Sequence, residues 1–257
     1  MNGILPRVII EMLIIAQDVF IKNKVHYFIV GAIARDLHLS KITGNVSPRR
    51  TNDVDFAVMV PDELKYDKIK AALIATGKFT ADANNAIKLW YQQGIEIDLM
   101  PFGAIENEDR EIRLQHPKLF TMDVPGFQEA AASLENVQMG KENFRACTVE
   151  GLILLKLYAW NDRPARTKDL QDIDLLLLNY VDITDKLYDD HFDVLAKYDE
   201  TRQSYLISVS GHVVGRKLAS LLGHEKEKII KLKTIIDKRP VTGWIEMAIG
   251  LGEINEL

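Results

Sequence analysis

Apolar residues at Ile4, Leu5, Val8, Met12, Ile15, Val19 and Phe20 recur at three- and four-residue spacing, which predicts an amphipathic helix at the start of the chain. The run 26–30 (HYFIV) is continuous and aromatic and ends at Gly31, as a buried strand entering a turn does. Residues 32–39 then read as a helix, and residues 40–52, rich in Gly, Pro, Ser, Asn and basic side chains, as an exposed loop. Strand character returns over 53–60 (DVDFAVMV). Pro61, Asp62 and Glu63 open a second helix, because proline and acidic residues suit a first turn, and it ends at Gly77. Residues 88–91 and 95–102 are strand-like runs joined by Gln92-Gln93-Gly94, a hairpin signal. In the second run Ile95, Ile97 and Leu99 share one face and Glu96, Asp98 and Met100 the other.

Further along, residues 106–113 read as a charged surface segment, and 137–139 with 144–147 as edge strands. From Thr148 the period becomes helical. A first helix carries Leu152, Leu155 and Ala159 on its apolar face and is interrupted by Pro164. A second, from Thr167, places Leu170, Ile173, Leu177 and Leu178 at helical spacing, and the segments 192–197, 205–222 and 225–236 continue the theme. Strands followed by helices predict an α/β (α+β) fold: a mixed-sheet domain over 1–147 and a helical domain over 148–257.

Composition narrows the class. Of 257 residues 47% are hydrophobic and 27% charged, too apolar for disorder, and the single Cys147 can close no internal disulfide. Cys147 is read as buried and inert, in a reducing, cytoplasmic setting. The apolar stretch 8–15 is broken by Glu11 and falls short of a membrane span, so no membrane contact is expected. With 32 Lys plus Arg against 37 Asp plus Glu, the net charge of −5 argues against coating nucleic acid by bulk charge, but not against a local site.

The chemistry concentrates in Gly31, Asp53, Asp55 and Asp98. Two residues apart on a strand, Asp53 and Asp55 present their carboxylates on one face, where a divalent cation such as Mg²⁺ offsets the repulsion. Asp98 completes a three-carboxylate set suited to two metal ions, with Glu96 on the same face as its rival. Gly31, between strand and helix, lets a phosphate approach unpaired backbone N–H groups at the positive end of a helix dipole. Trp90, Tyr91, Tyr158 and Trp160 have the shape to stack a base but fit a core equally, and the six histidines show no metal-ligand spacing.

Gly31-Ala32-Ile-Ala-Arg35-Asp36, Thr51-Asn-Asp53-Val-Asp55-Phe and Ile97-Asp98-Leu99 resemble the core motifs of the nucleotidyltransferase superfamily, the DNA polymerase β-like fold. The glycine turn followed by Arg-Asp is also similar to that of tRNA CCA-adding enzymes. Lys156-Leu-Tyr-Ala-Trp160-Asn-Asp-Arg163 with Arg166-Thr-Lys168-Asp169-Leu-Gln-Asp172 resembles the second half of the abortive-infection toxin family AbiEii, the likeness spanning residues 26–180. The resemblance implies Mg²⁺-dependent transfer of a nucleoside monophosphate from an NTP to an acceptor hydroxyl, with tRNA, protein or a small molecule as acceptor and an antitoxin as partner. It assigns Asp53 and Asp55 to metal, and Asp98 to metal and to the acceptor proton. Gly31, Ala32, Arg35, Arg50, Thr51, Lys156, Lys168 and Asp169 fall to the nucleotide. Arg163, Arg166, Lys168, Asp169 and Asp172 fit a set of helix salt bridges equally. Ala32 stands where the family usually has Ser or Gly, which removes a hydroxyl contact but leaves the backbone donors. That departure supports the alternative of a nucleotide-binding regulatory protein; an antibiotic-type nucleotidyltransferase shares the chemistry but not the acceptor.

Overall fold

The computed structural model describes residues 5–43, 53–92, 94–139, 141–184 and 187–253. It divides into two compact units, Met1–Thr148 and Val149–Leu257.

In the first unit, helix α1 (Arg7–Lys22) precedes strand β1 (His26–Val30), helix α2 (Gly31–Thr43) and strand β2 (Asp53–Met59). The expected loop at 40–52 begins later than its composition suggests. Residues 40–43 still belong to α2, where the Ser40 hydroxyl donates to Leu37 O at 2.7 Å, and residues 44–52 lie outside the described residues. Helix α3 (Glu63–Ala75) starts where the sequence indicates, with the Asp62 carboxylate accepting from Lys65 N at 2.7 Å. Strands β3 (Phe79–Ala81), β4 (Lys88–Tyr91) and β5 (Ile95–Phe102) follow, then a small hairpin of β6 (Glu111–Leu114) and β7 (Phe120–Asp123). The segment 106–113 is therefore not all surface: Ile112 is buried, and the Glu106 side chain accepts from Gly103 N and Arg110. Helix α4 (Phe127–Ala131), β8 (Leu134–Met139) and β9 (Glu142–Cys147) complete the unit.

Seven strands form one mixed sheet in the order β3-β4-β5-β2-β1-β9-β8. β2 runs parallel to β5 and antiparallel to β1, so it lies well inside the sheet. The strand 144–147, expected at an edge, is internal, since β9 pairs with both β8 and β1 and only β8 closes that side. On one face Phe20 of α1 packs on Tyr27 and Phe56, while the Tyr66 hydroxyl of α3 donates to Leu99 O at 2.7 Å. On the other face Phe28, Phe102 and Phe127 make an aromatic cluster. Each such buried ring stabilises the fold by about 1.5–3 kcal/mol. That same face carries Asp53, Asp55, Glu96 and Asp98 farther along the strands, so the face the carboxylates use is anchored at its far end by α4.

The second unit holds α5 (Val149–Asp162), α6 (Thr167–Ile183), the short α7 (Leu187–Asp190) and α8 (Phe192–Leu195), then α9 (Tyr205–Leu221), α10 (Lys226–Ile236) and α11 (Trp244–Gly252). Two apolar faces differ from expectation. Leu155 and Ala159 are only half-buried, because α5 packs against α6, α9 and α10 and buries Ile153, Leu154 and Leu157 instead, and Leu178 of α6 is exposed. α11, which the pattern did not indicate, packs closely along α9. A Cβ on Gly215 would lie 2.2 Å from Met247 O, and one on Gly250 2.0 Å from His212 O. No helix among the described residues is long and apolar enough to cross a membrane.

Candidate active site

The three aspartates predicted from sequence stand on neighbouring strands. In the sheet register Val30 of β1 pairs with Asp55 of β2, Asp55 with Asp98 of β5, and Asp98 with Lys88 of β4. One step along, Asp53 pairs with Glu96 and Glu96 with Trp90. Directly paired residues share a face, so Asp53, Asp55, Glu96, Asp98, Lys88 and Trp90 form two adjacent rows on one side of the sheet.

Gly31 is explained by Asp55. Its φ is +67°, a left-handed value that suits glycine, and a Cβ there would lie 1.8 Å from Asp55 Oδ2. The turn thus lets the Asp55 carboxylate lie against the backbone at the N-terminus of α2. Ala32 is the next residue of that helix and half-exposed, so an absent serine hydroxyl leaves the turn's backbone unchanged.

Asp98 is held differently. Its Oδ1 is buried with no hydrogen-bond partner. Burial pushes its pKa above the ordinary carboxylate value; the Lys88 ammonium opposes the shift and the Asp53 charge adds to it. A buried carboxylate oxygen without a hydrogen-bond partner, on the same sheet face as two further carboxylates, is a hard oxygen donor of the kind that suits Mg²⁺. In chemical type, Asp53, Asp55 and Asp98 are the oxygen donors that the sequence-implied Mg²⁺ takes. Among the described residues the ligand atoms gathered within 4.8 Å of one another are those of Glu63, Asp67 and His116; the three aspartates are not drawn that close. Glu96, the rival third carboxylate, is ion-paired with Lys88. Lys88 is the charged residue that sequence reasoning missed. Its signal was the hairpin register, which sets residue 88 opposite residue 98.

Arg35, expected at the nucleotide, is only 4% exposed and its guanidinium bonds the neighbouring Asp36 carboxylate at 2.6 Å, a buried ion pair within α2. Arg50 and Thr51 lie outside the described residues. In the helical unit Lys156 of α5 is buried, with Nζ 2.7 Å from Asp172 and 3.5 Å from Asp169 of α6, and Arg166 lies 3.2 Å from Asp169. The salt-bridge reading of this motif is thus realised for Lys156, Arg166, Asp169 and Asp172. Lys168 is exposed, and Arg163 pairs with its neighbour Asp162. Of the aromatic candidates, Tyr91 is core and packs on Phe79, and Trp160 packs on Trp244. Tyr158 is half-buried, and so is Trp90, whose Nε1 donates to Asp82 at 3.1 Å. His38 and His212 are buried, and Cys147 is buried with its carbonyl 2.8 Å from His38 Nε2.

A mixed sheet that carries an Asp-x-Asp strand beside a glycine turn, with a third aspartate on the parallel neighbour, defines a nucleotidyltransferase core. Residues 30–238 match the family described as Nucleotidyl transferase AbiEii toxin, Type IV TA system, so the chain belongs to that family and is a nucleotidyltransferase. The match runs beyond residue 180, where the sequence likeness was expected to end, into α10.

No curated protein matches the chain. Among solved structures, the solution structure of the antibiotic-resistance factor ANT(2'')-Ia is 12% identical and covers 86% of this chain and 98% of its own, at a TM-score of 0.46. A crystal structure of ANT(2'')-Ia with adenylyl-2''-tobramycin is 14% identical over 66% of this chain and 86% of its own, at 0.41. An antigenic nucleotidyltransferase-like protein from Paracoccidioides brasiliensis is 17% identical over 66% of this chain and 75% of its own, at 0.43. Similarities at this level are too loose to bear on substrate.

Proposed function

We propose that the chain moves a nucleoside monophosphate from an NTP to a hydroxyl of RNA, tRNA being the first acceptor to test, with Asp53, Asp55 and Asp98 holding Mg²⁺. The observation that carries this is the pairing of Asp55, seated against Gly31, with Asp98 and its unpartnered buried oxygen. The acceptor oxygen bonds the α-phosphorus, the bond from that phosphorus to the bridging oxygen breaks, and pyrophosphate leaves. The acceptor's proton passes to the Asp98 carboxylate, which the sheet register sets beside Asp55. The backbone N–H groups at the start of α2 bind phosphate oxygens. When bound, two Mg²⁺ ions would supply charge neutralisation of the phosphates and acidification of the attacking hydroxyl. For Lys156, Lys168 and Asp169 the family resemblance supports a nucleotide role. Exposed Lys168 is the direct test, since Lys168→Ala should raise the KM for NTP with little loss of stability. The description of the family as a toxin of a type IV system supports an antitoxin partner.

Incubation with each labelled NTP, Mg²⁺ and total tRNA should give labelled RNA. Asp53→Asn and Asp55→Asn should lower the rate by at least about 10²–10³-fold while leaving the melting transition in place, and removal of divalent metal by EDTA should do the same. Transfer by the wild type to no RNA, protein or small hydroxylated compound would sink the reading.

A further inference from the structure

We propose that β4 forms the acceptor side of the site, with Lys88 binding a phosphate and Trp90 stacking a base of a nucleic-acid 3′ end. This rests on the transfer reaction proposed above. Phosphoryl transfer holds the attacking and leaving oxygens roughly in line through phosphorus. The row of paired residues has two ends. At one is the Gly31 turn, where the N-terminus of α2 favours anions and where the leaving pyrophosphate belongs. In-line attack then enters from the opposite end, past Asp55 and Asp98, and the strand there is β4.

What β4 presents at that end is an ammonium beside a flat ring. Lys88 Nζ lies 5.7 Å from the centroid of the Trp90 ring, and the indole is held by its Nε1 hydrogen bond to Asp82. Both side chains are half-buried, so their positions are constrained while part of each surface stays accessible. Glu96 is ion-paired with the ammonium and fixes where the charge sits, and the Asp98 and Asp82 carboxylates also feel that charge, so a phosphate oxygen would compete with them for the ammonium's other donors. A cation next to an indole recognises an anionic, ring-bearing chain end, the chemistry of a nucleotide and its preceding phosphodiester.

The test uses the full chain and a single-stranded RNA hexamer with a free 3′ hydroxyl. Lys88→Ala and Trp90→Ala should each raise the acceptor KM about tenfold and leave the KM for NTP unchanged, with Lys88→Arg retaining most of the affinity. Hexamer binding should quench tryptophan fluorescence in the wild type and not in Trp90→Phe. Lys88→Ala should also reduce the slope of log K against log salt by about 0.7, the share of one phosphate contact on a single strand. Unchanged acceptor KM and salt slope in Lys88→Ala, or transfer to an aminoglycoside in preference to the hexamer, would overturn the proposal. A wild type that binds the hexamer through β4 but transfers nothing would fault the reaction and leave the binding assignment standing.

Discussion

Gly31 and Gly77 share a backbone conformation and differ in what surrounds them, which separates backbone strain from function at single residues. Both have φ near +70°, at +67° and +72°, yet a Cβ would meet Asp55 at Gly31 and nothing within 4 Å at Gly77. Gly77→Ala should cost about 1–2 kcal/mol from the left-handed φ alone and leave transfer intact. Gly31→Ala should cost as much or more and abolish transfer, because Asp55 must move. Melting temperatures and rates measured side by side check this: equal activity in the two variants would show that the Gly31 turn does not position Asp55. The same scale shows what a motif conveys. Asp53, Asp55 and Asp98 were legible because period-two alternation and strand spacing fix their faces. Lys88 was not, because a single lysine at the start of a strand carries no pattern until its partner across the hairpin is known. Arg35 misled for a related reason: its place in the motif gave its chain position, but burial beside Asp36 is a property of packing.

At the level of elements, α5 and α6 are joined by the Lys156 cluster. Removing one member of a buried ion pair leaves an uncompensated charge, so Lys156→Met should destabilise the protein by about 3–5 kcal/mol. Adding Asp172→Asn should recover part of that loss, since the negative charge that Lys156 balanced is then also removed; a double-mutant cycle with no coupling would show that the two groups do not interact. Most elements could be read from the chain: β1, β4 and β5 keep the boundaries that hydrophobic runs and turn residues predicted. The internal position of β9 could not, because its parallel pairing with β1 joins residues far apart in sequence and leaves no local signal. α11 was not indicated either: Gly250 brings it against the His212 carbonyl of α9, a contact that leaves no local signal.

For the molecule as a whole, Glu253 is one of the carboxylates on which acid stability should depend. Glu253 loses solvation on burial, but the close His212 ring and the hydrogen bonds from Lys197 and Arg216 outweigh that and lower its pKa from 4.5 to about 2. A depressed folded-state pKa contributes stability above the unfolded value, and that contribution is lost as pH falls from 4.5 towards about 2. The melting temperature should therefore decline through that window. Glu253→Gln should melt lower at neutral pH and show a flatter acid branch; parallel acid branches for wild type and variant would refute the assignment. The placement of the proposed acceptor residues has a different consequence. β2 is held between β5 and β1, whereas β3 and β4 close one side of the sheet as a short antiparallel pair. Divergence at that margin can change which molecule is modified while the aspartates on β2 stay fixed, so new acceptor preferences can arise from exchange of a hairpin rather than remodelling of the catalytic strand.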